Sequence, residues 1–266
     1  MSVLEYGFMQ RAFLVGIMIA VIIPCIGVVV VQKRLSMIGD ALSHTSLVGV
    51  AAGLIIGVNP IVCAMIACVA AAFATDAIRK RSPGHADIAI AIVMSAGIGL
   101  AGTLSGFVKT AANFNSFLFG SIVAVTDFEF ALVICVSLFV MAAFVLLYKE
   151  LFFIALDERA ARLAGVPVRI VNFVFLILTA VTVSVAARTV GALIVSSLMV
   201  VPVACAMRLA KSYRQTVILS VLFAVAFTVS GLLIAAYTGA KPGGAVVLTG
   251  VVCYFLILAV KRVVIK

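Results

Sequence analysis

Asp40 and His44 are the two residues of this chain whose type and spacing could do chemistry. They sit in "KRLSMIGDALSHTSLVGV", residues 33 to 50, at the start of a long apolar segment. Four positions apart, they project from the same face of a helix about one turn from each other. A carboxylate oxygen and an imidazole nitrogen are ligands suited to Zn²⁺, Mn²⁺ or Fe²⁺. An ionisable residue inside a membrane costs a few kcal/mol, roughly, and faces the bundle interior or an aqueous path. With a helix entering the membrane near Ser36, Asp40 would lie about 6 Å and His44 about 12 Å inside. Two ligands do not make a metal site. A second copy related by twofold symmetry would bring the number to four. A plainer reading stays open from spacing alone: Asp40 caps its helix and His44 bonds a neighbouring carbonyl.

Other chemistry is scarce. The sequence has no HExxH, no GxSxG, no GxxxxGK[ST] phosphate loop and no paired intramembrane carboxylates. An intramembrane enzyme would need a second cluster of ligands or nucleophiles near Asp40, so no enzymatic activity is expected. If transport is uphill, the energy comes from a partner or an ion gradient. His85, in "RSPGHAD", falls in a basic gap and is expected to be solvated. The six cysteines all lie in apolar runs without a CxxC pair and read as small buried hydrophobes.

The elements that must position this pair are membrane helices. Of 266 residues, 66% are hydrophobic and 11% charged, with a mean hydropathy of +1.38. Apolar segments fall near 12–31, 36–57, 60–78, 88–106, 128–148, 170–187, 190–207, 215–237 and 244–260, each close to the roughly 20 residues that span a bilayer. The expected fold is all-α: a single polytopic transmembrane bundle of eight or nine helices over residues 1–266, with one or two segments re-entrant or broken. The first segment lacks a cleavage site and reads as a retained span.

The net charge of +10 is no sign of nucleic-acid binding, because the basic residues form no patch. Fifteen of the 19 fall in alternate gaps at 32–35, 79–87, 149–169, 208–214 and 261–266. That asymmetry predicts an outside N-terminus, with these gaps and the C-terminus in the cytoplasm. Gly49, Gly53 and Gly57, and again Gly102 and Gly106, form spacings that suit close helix packing. Pro24 and Pro202 predict kinks or breaks. The outer gap 107–127 is apolar enough for a short helix dipping into the bundle. The inner gap 149–169 reads as a helix ended by Gly165 and Pro167, with acidic residues early and arginines later.

"RLSMIGDALSHTSLVGVAAG" resembles the signature of the metal-importing ABC permeases of bacteria. "FLFGSI" at 117–122, "ALDERAARLAGVPV" at 155–168, "VGALIVSSLMVVPVACAMRLA" at 190–210 and "KPGGAVVLTG" at 241–250 are similar to further blocks of that family, in its order. The resemblance implies a type II ABC importer-like fold in the bacterial inner or plasma membrane. It implies a homodimer paired with a cytoplasmic ABC ATPase dimer and fed by an extracytoplasmic metal-binding protein. It implies that Asp40 and His44 contact the transported metal, with no permanently bound cofactor. It also implies that residues 150–167 form a coupling helix against the ATPase, with Leu156, Asp157, Glu158, Ala161 and Gly165 as its contacts. Zinc ranks first on ligand softness, with manganese or iron(II) behind it. A proton-coupled secondary metal transporter that uses Asp40 and His44 as a relay is the alternative.

Overall fold

The computed structural model describes residues 7–81, 85–108 and 126–264, and it is helical almost throughout. A chain surrounded by hydrocarbon must satisfy its backbone N–H and C=O groups internally, which leaves helices for a sequence without strand alternation. The long helices are α1 (Gly7–Gln32), α2 (Ile38–Ile56), α3 (Pro60–Arg81), α4 (Ala86–Ser105) and α5 (Asp127–Leu146). Two short ones follow, α6 (Tyr148–Leu156) and α7 (Glu158–Leu163). Then come α8 (Val168–Ala186), a π-helical turn (Ala187–Gly191), α9 (Ala192–Leu209), α10 (Tyr213–Thr238) and α11 (Pro242–Val264). Among the described residues, eight helices are long and apolar enough to cross a membrane, and Ile194–Leu209 is a shorter apolar ninth. The segment read from sequence as 190–207 is this shorter helix. The break before it is Gly191, whose φ of 108° and ψ of 137° no residue with a Cβ adopts readily. The expected outer dip and the "FLFGSI" block lie outside the described residues.

Helix ends follow local rules. α1 closes through Leu35 N–H to Val30 O at 2.9 Å and Arg34 N–H to Val31 O at 3.0 Å, with Arg34 at φ 57°. This is a left-handed C-terminal closure made without glycine, at about 1 kcal/mol. It turns the chain so tightly that α2 begins at Ile38 rather than near Ser36. α2 ends on Gly57 at φ 80°, and Pro60 opens α3. Thr126 and Glu129 form a reciprocal capping box at the start of α5, and the Ser212 hydroxyl accepts from Gln215 N–H at the start of α10. The inner gap differs from expectation. It is two helices rather than one, because Asp157 leaves helical geometry (φ −152°, ψ 105°) and its carboxylate caps α7 by accepting from Arg159 N–H and Ala160 N–H.

α1 is the axis of one half. Ile19, Ile23 and Ile26 are fully buried, with α5, α9 and α10 packed around the helix. α2 is the axis of the other, embraced by α3, α4 and α9, while α8 bridges α3 to both axes. Pro24 and Pro202 lie inside α1 and α9, which run through them. The glycine spacings divide. A Cβ on Gly53 would lie 2.8 Å from Pro60 Cα, and one on Gly49 would overlap the backbone of Cys63 and Ala64, so these two fix the α2–α3 contact. Gly102 meets nothing within 4 Å, and Gly106 only a carbonyl of its own helix end. Among the described residues the second spacing therefore packs against no other helix. Cys25, Cys68 and Cys205 are buried as expected, whereas Cys135 is exposed on the outer face of α5.

Replacing Gly49 by Leu should lower subunit stability by about 1–3 kcal/mol, the usual cost of overpacking, whereas Gly102→Leu should leave it unchanged. Thermal denaturation of the purified subunit in detergent measures both.

Candidate functional site

Asp40 lies in the first turn of α2 and His44 one turn on, both half-buried. At 1.5 Å per residue His44 is about 9 Å along the helix from Ile38, shallower than the sequence arithmetic gave because the α1–α2 turn uses residues up to Met37. Neither side chain has a hydrogen bond or ion pair among the described residues, and the N-terminus of α2 has no side-chain cap. The plainer reading, capping by Asp40 and a carbonyl bond from His44, thus finds no such bonds. Three helices fix where the pair points. Gly39 lets α9 approach, since a Cβ there would stand 3.2 Å from Ser196 Cβ. Gly97 of α4 lies against the backbone at His44 and Thr45, where a Cβ would come within 2.9 Å of Thr45 Oγ1. On the third side Cys68 Sγ of α3 donates to Leu42 O at 3.3 Å.

The described residues contain no group of three or more His, Cys, Asp or Glu side chains that could hold a metal ion. Asp40 and His44 thus have no third side chain of these types grouped with them among the described residues. Ser43, on the same face, has a buried hydroxyl oxygen without a partner among the described residues. It is a further polar atom beside the pair that spacing arguments overlooked. His85 is exposed at the start of α4.

Two charged groups on other elements were missed from sequence. Arg188 is one of the four basic residues outside the five basic gaps. It sits in the π-helical turn, and its Nε donates to Glu129 Oε1 at 2.6 Å, with the two side chains 17% and 8% exposed. Glu129 also accepts from Thr126 N–H in the capping box, so one carboxylate ties the α5 start to the bend before α9. The Thr126–Glu129 spacing was legible; its partner 59 residues away was not. Ser46, Ser184 and Arg188 line one narrow crevice between α2 and α8, on the side of α2 beyond His44.

At the opposite end of α2 stands Lys33, just past the end of α1. Its Nζ donates to Asn172 Oδ1 of α8 at 2.5 Å and lies 5.3 Å from the centre of the Phe175 ring. Burial lowers its pKa to about 8; Arg79 pushes in the same direction, and Glu158 and Asp76 partly oppose it. Lys33 thus joins the turn leading into Asp40 to the helix that follows α7. The residues expected to face an ATPase lie in this region: Leu156 and Glu158 are exposed, Asp157 caps α7, Ala161 is buried, and Gly165 ends the segment at φ 83°.

The fold is that of a polytopic helical membrane protein, with a carboxylate and an imidazole on one face of α2. The chain from residue 5 to 261 matches the family model described as the ABC 3 transport family. It is 33% identical to a probable metal transport system membrane protein of Treponema pallidum, covering 98% of each chain. It is 30% identical to the manganese transport system membrane protein MntC of Listeria innocua, over 96% of this chain and 91% of that one. It is 25% identical to the high-affinity zinc uptake system membrane protein ZnuB of Haemophilus influenzae, over 93% and 95%. Among solved structures, PsaBC from Streptococcus pneumoniae in complex with Fab superposes with a TM-score of 0.86 at 27% identity, covering 96% of this chain and 92% of that one. The chain belongs to the ABC 3 transport family. It is a membrane permease subunit of an ABC transporter and not itself an enzyme.

Two stability measurements follow from these charges. Glu129→Gln and Arg188→Met should each destabilise the subunit by about 3 kcal/mol, because either breaks the buried Arg188–Glu129 ion pair. The double substitution should recover much of that loss in a thermal double-mutant cycle. For Lys33 the folded pKa lies below that of the unfolded chain. Between about pH 8 and 10.5 the unfolded state therefore binds more protons, and stability rises with pH across that window. Lys33→Met should flatten this part of the pH–stability curve.

Proposed function

We propose that this chain forms the translocation path of an ATP-driven importer of a divalent transition metal, working as a homodimer in a bacterial cell membrane. The observation that carries the reading is the Asp40–His44 face. A carboxylate and an imidazole project from one side of α2, held in place by backbone contact and without partners among the described residues. A second copy would complete a four-ligand cage around a passing ion. Such a site should hold the metal briefly, since a transport site has to release what it binds.

In this reading the energy comes from a separate cytoplasmic ATPase dimer docked on the 150–167 segment. Its exposed Leu156 and Glu158 and the capped α7 offer the contact surface. Closure of the ATPases moves α6 and α7, and the Lys33–Asn172 bond passes the displacement from α8 to the turn before Asp40. An extracytoplasmic binding protein delivers the ion at the opposite ends of the helices. In this reading the N-terminus is outside and the C-terminus in the cytoplasm, an orientation that the distribution of basic residues supports.

The cargo is zinc or manganese. The ligand set suits both ions, and the similarity to a manganese system at 30% identity and to a zinc system at 25% supplies no reason to keep zinc first.

Asp40→Ala and His44→Ala should each reduce uptake of ⁶⁵Zn²⁺ or ⁵⁴Mn²⁺ in whole cells at least tenfold, with the protein still in the membrane at wild-type level. Competition between the two metals in the wild type identifies the cargo. Normal uptake by both variants would remove the pair from the path. Uptake that collapses with the proton gradient and ignores loss of the ATPase would instead make the system a secondary transporter.

A further inference from the structure

α5 and α10 both pack on α1 and make almost no contact with each other. The gap between them is a groove of about 420 Å³ that opens sideways from the bundle. Val21 and Cys25 of α1 form its floor; Phe144 and Val145 on one side and Val217 and Val221 on the other form its walls. The lining is apolar until one end, where Tyr148 and Arg214 stand. From Arg214 to Leu222 is eight residues of α10, or about 12 Å at 1.5 Å per residue. Half of a hydrocarbon core is about 15 Å. The groove therefore runs through most of one leaflet, with a cation and a phenol at its headgroup end.

That end is built for an anion. Arg214 is exposed, no described carboxylate pairs with it, and it is the second residue of α10, where the helix dipole is positive. The Tyr148 ring lies 5.3 Å from that of Tyr213, itself 4.6 Å from Phe152, an aromatic cluster of the kind found at a membrane–water boundary. Burial raises the Tyr148 phenol while the charge of Arg214 opposes the rise, so the two groups are electrostatic neighbours.

We propose that the groove between α5 and α10 holds one anionic phospholipid per chain, with an acyl chain against Val21, Phe144 and Val221 and its phosphate at Arg214 and the Tyr148 hydroxyl. In the orientation proposed above, this is a lipid of the cytoplasmic leaflet. Basic sites between membrane helices on that side recognise anionic headgroups by the same charge-assisted contacts. The lipid would fill the space that α5 and α10 leave over α1 and join them without a direct helix contact.

The test is native mass spectrometry of the full chain from nanodiscs containing phosphatidylglycerol and phosphatidylcholine in equal amounts. The wild type should retain one phosphatidylglycerol per chain in preference to phosphatidylcholine. Arg214→Gln should weaken phosphatidylglycerol retention about tenfold, the size of one charge-assisted hydrogen bond, with phosphatidylcholine unaffected. Arg214 is exposed, so this variant should fold, and an unchanged elution profile and melting temperature check that. Val221→Trp should expel the acyl chain whatever the headgroup. Millimolar inorganic phosphate should not displace the lipid; displacement would reduce the site to a free-anion site and overturn the proposal. Equal retention of both lipids, or no effect of Arg214→Gln, would also overturn it. So would disulfide-linked dimers formed by Val221→Cys, which would put a second copy in the groove.

Discussion

Close backbone contact around α2 is the constraint on which the site depends. Asp40 and His44 have no side-chain partners among the described residues to orient them, so their direction is set by where the helix itself is held. Gly49 and Gly53 bring it onto α3, Gly97 brings α4 against His44 and Thr45, and Gly39 admits α9. Lipid tails are as apolar as leucine, so hydrophobicity does little to drive these helices together. Close packing of small residues takes its place. The arrangement leaves a carboxylate and an imidazole available to a ligand while the backbone beneath them is fixed.

The two ends of the site are tied down differently. At the end beyond His44, a buried ion pair connects Glu129 in the first turn of α5 to Arg188 in the π-helical turn. Gly191 then redirects the chain into α9, which returns to pack on α2. At the Asp40 end, a tight closure with Arg34 in the left-handed region leads from α1 into α2, and Lys33 binds this turn to α8. A displacement at α6 and α7 is thus two contacts away from Asp40, while the other end is anchored through a charge pair. In the transport cycle proposed above, the Asp40 end is the driven one and the end beyond His44 the anchored one.

Much of this was legible before any coordinates. Periodic apolar runs of about 20 residues, separated by short polar gaps, dictate membrane helices because hydrocarbon offers no other hydrogen-bond partners. The spacing of Asp40 and His44 placed them on one face, and the "GDALSH" block pointed to the family that the comparison with known proteins shows. The end signals at Gly165 and Pro167 also stand where local chemistry put them, whereas Gly57, read as part of a packing spacing, ends α2 instead. The inner gap was misread as one helix because Asp157 was counted among favourable helix charges; its short side chain instead caps a new helix.

Composition and local pattern alone determined that the chain is a helical membrane protein, roughly where its long helices lie, and which two residues could meet a metal. Those properties depend on solvent, on the helical period and on bonds made within four residues. Tertiary structure decided which glycines are contacts and which face outward, that Arg188 is a buried partner of Glu129, and that Lys33 reaches Asn172. It also decided that α5 and α10 leave a groove over α1. Each of these is a meeting of residues from helices distant in sequence, and a pattern that repeats every 3.6 residues says which face is apolar without saying what that face will meet.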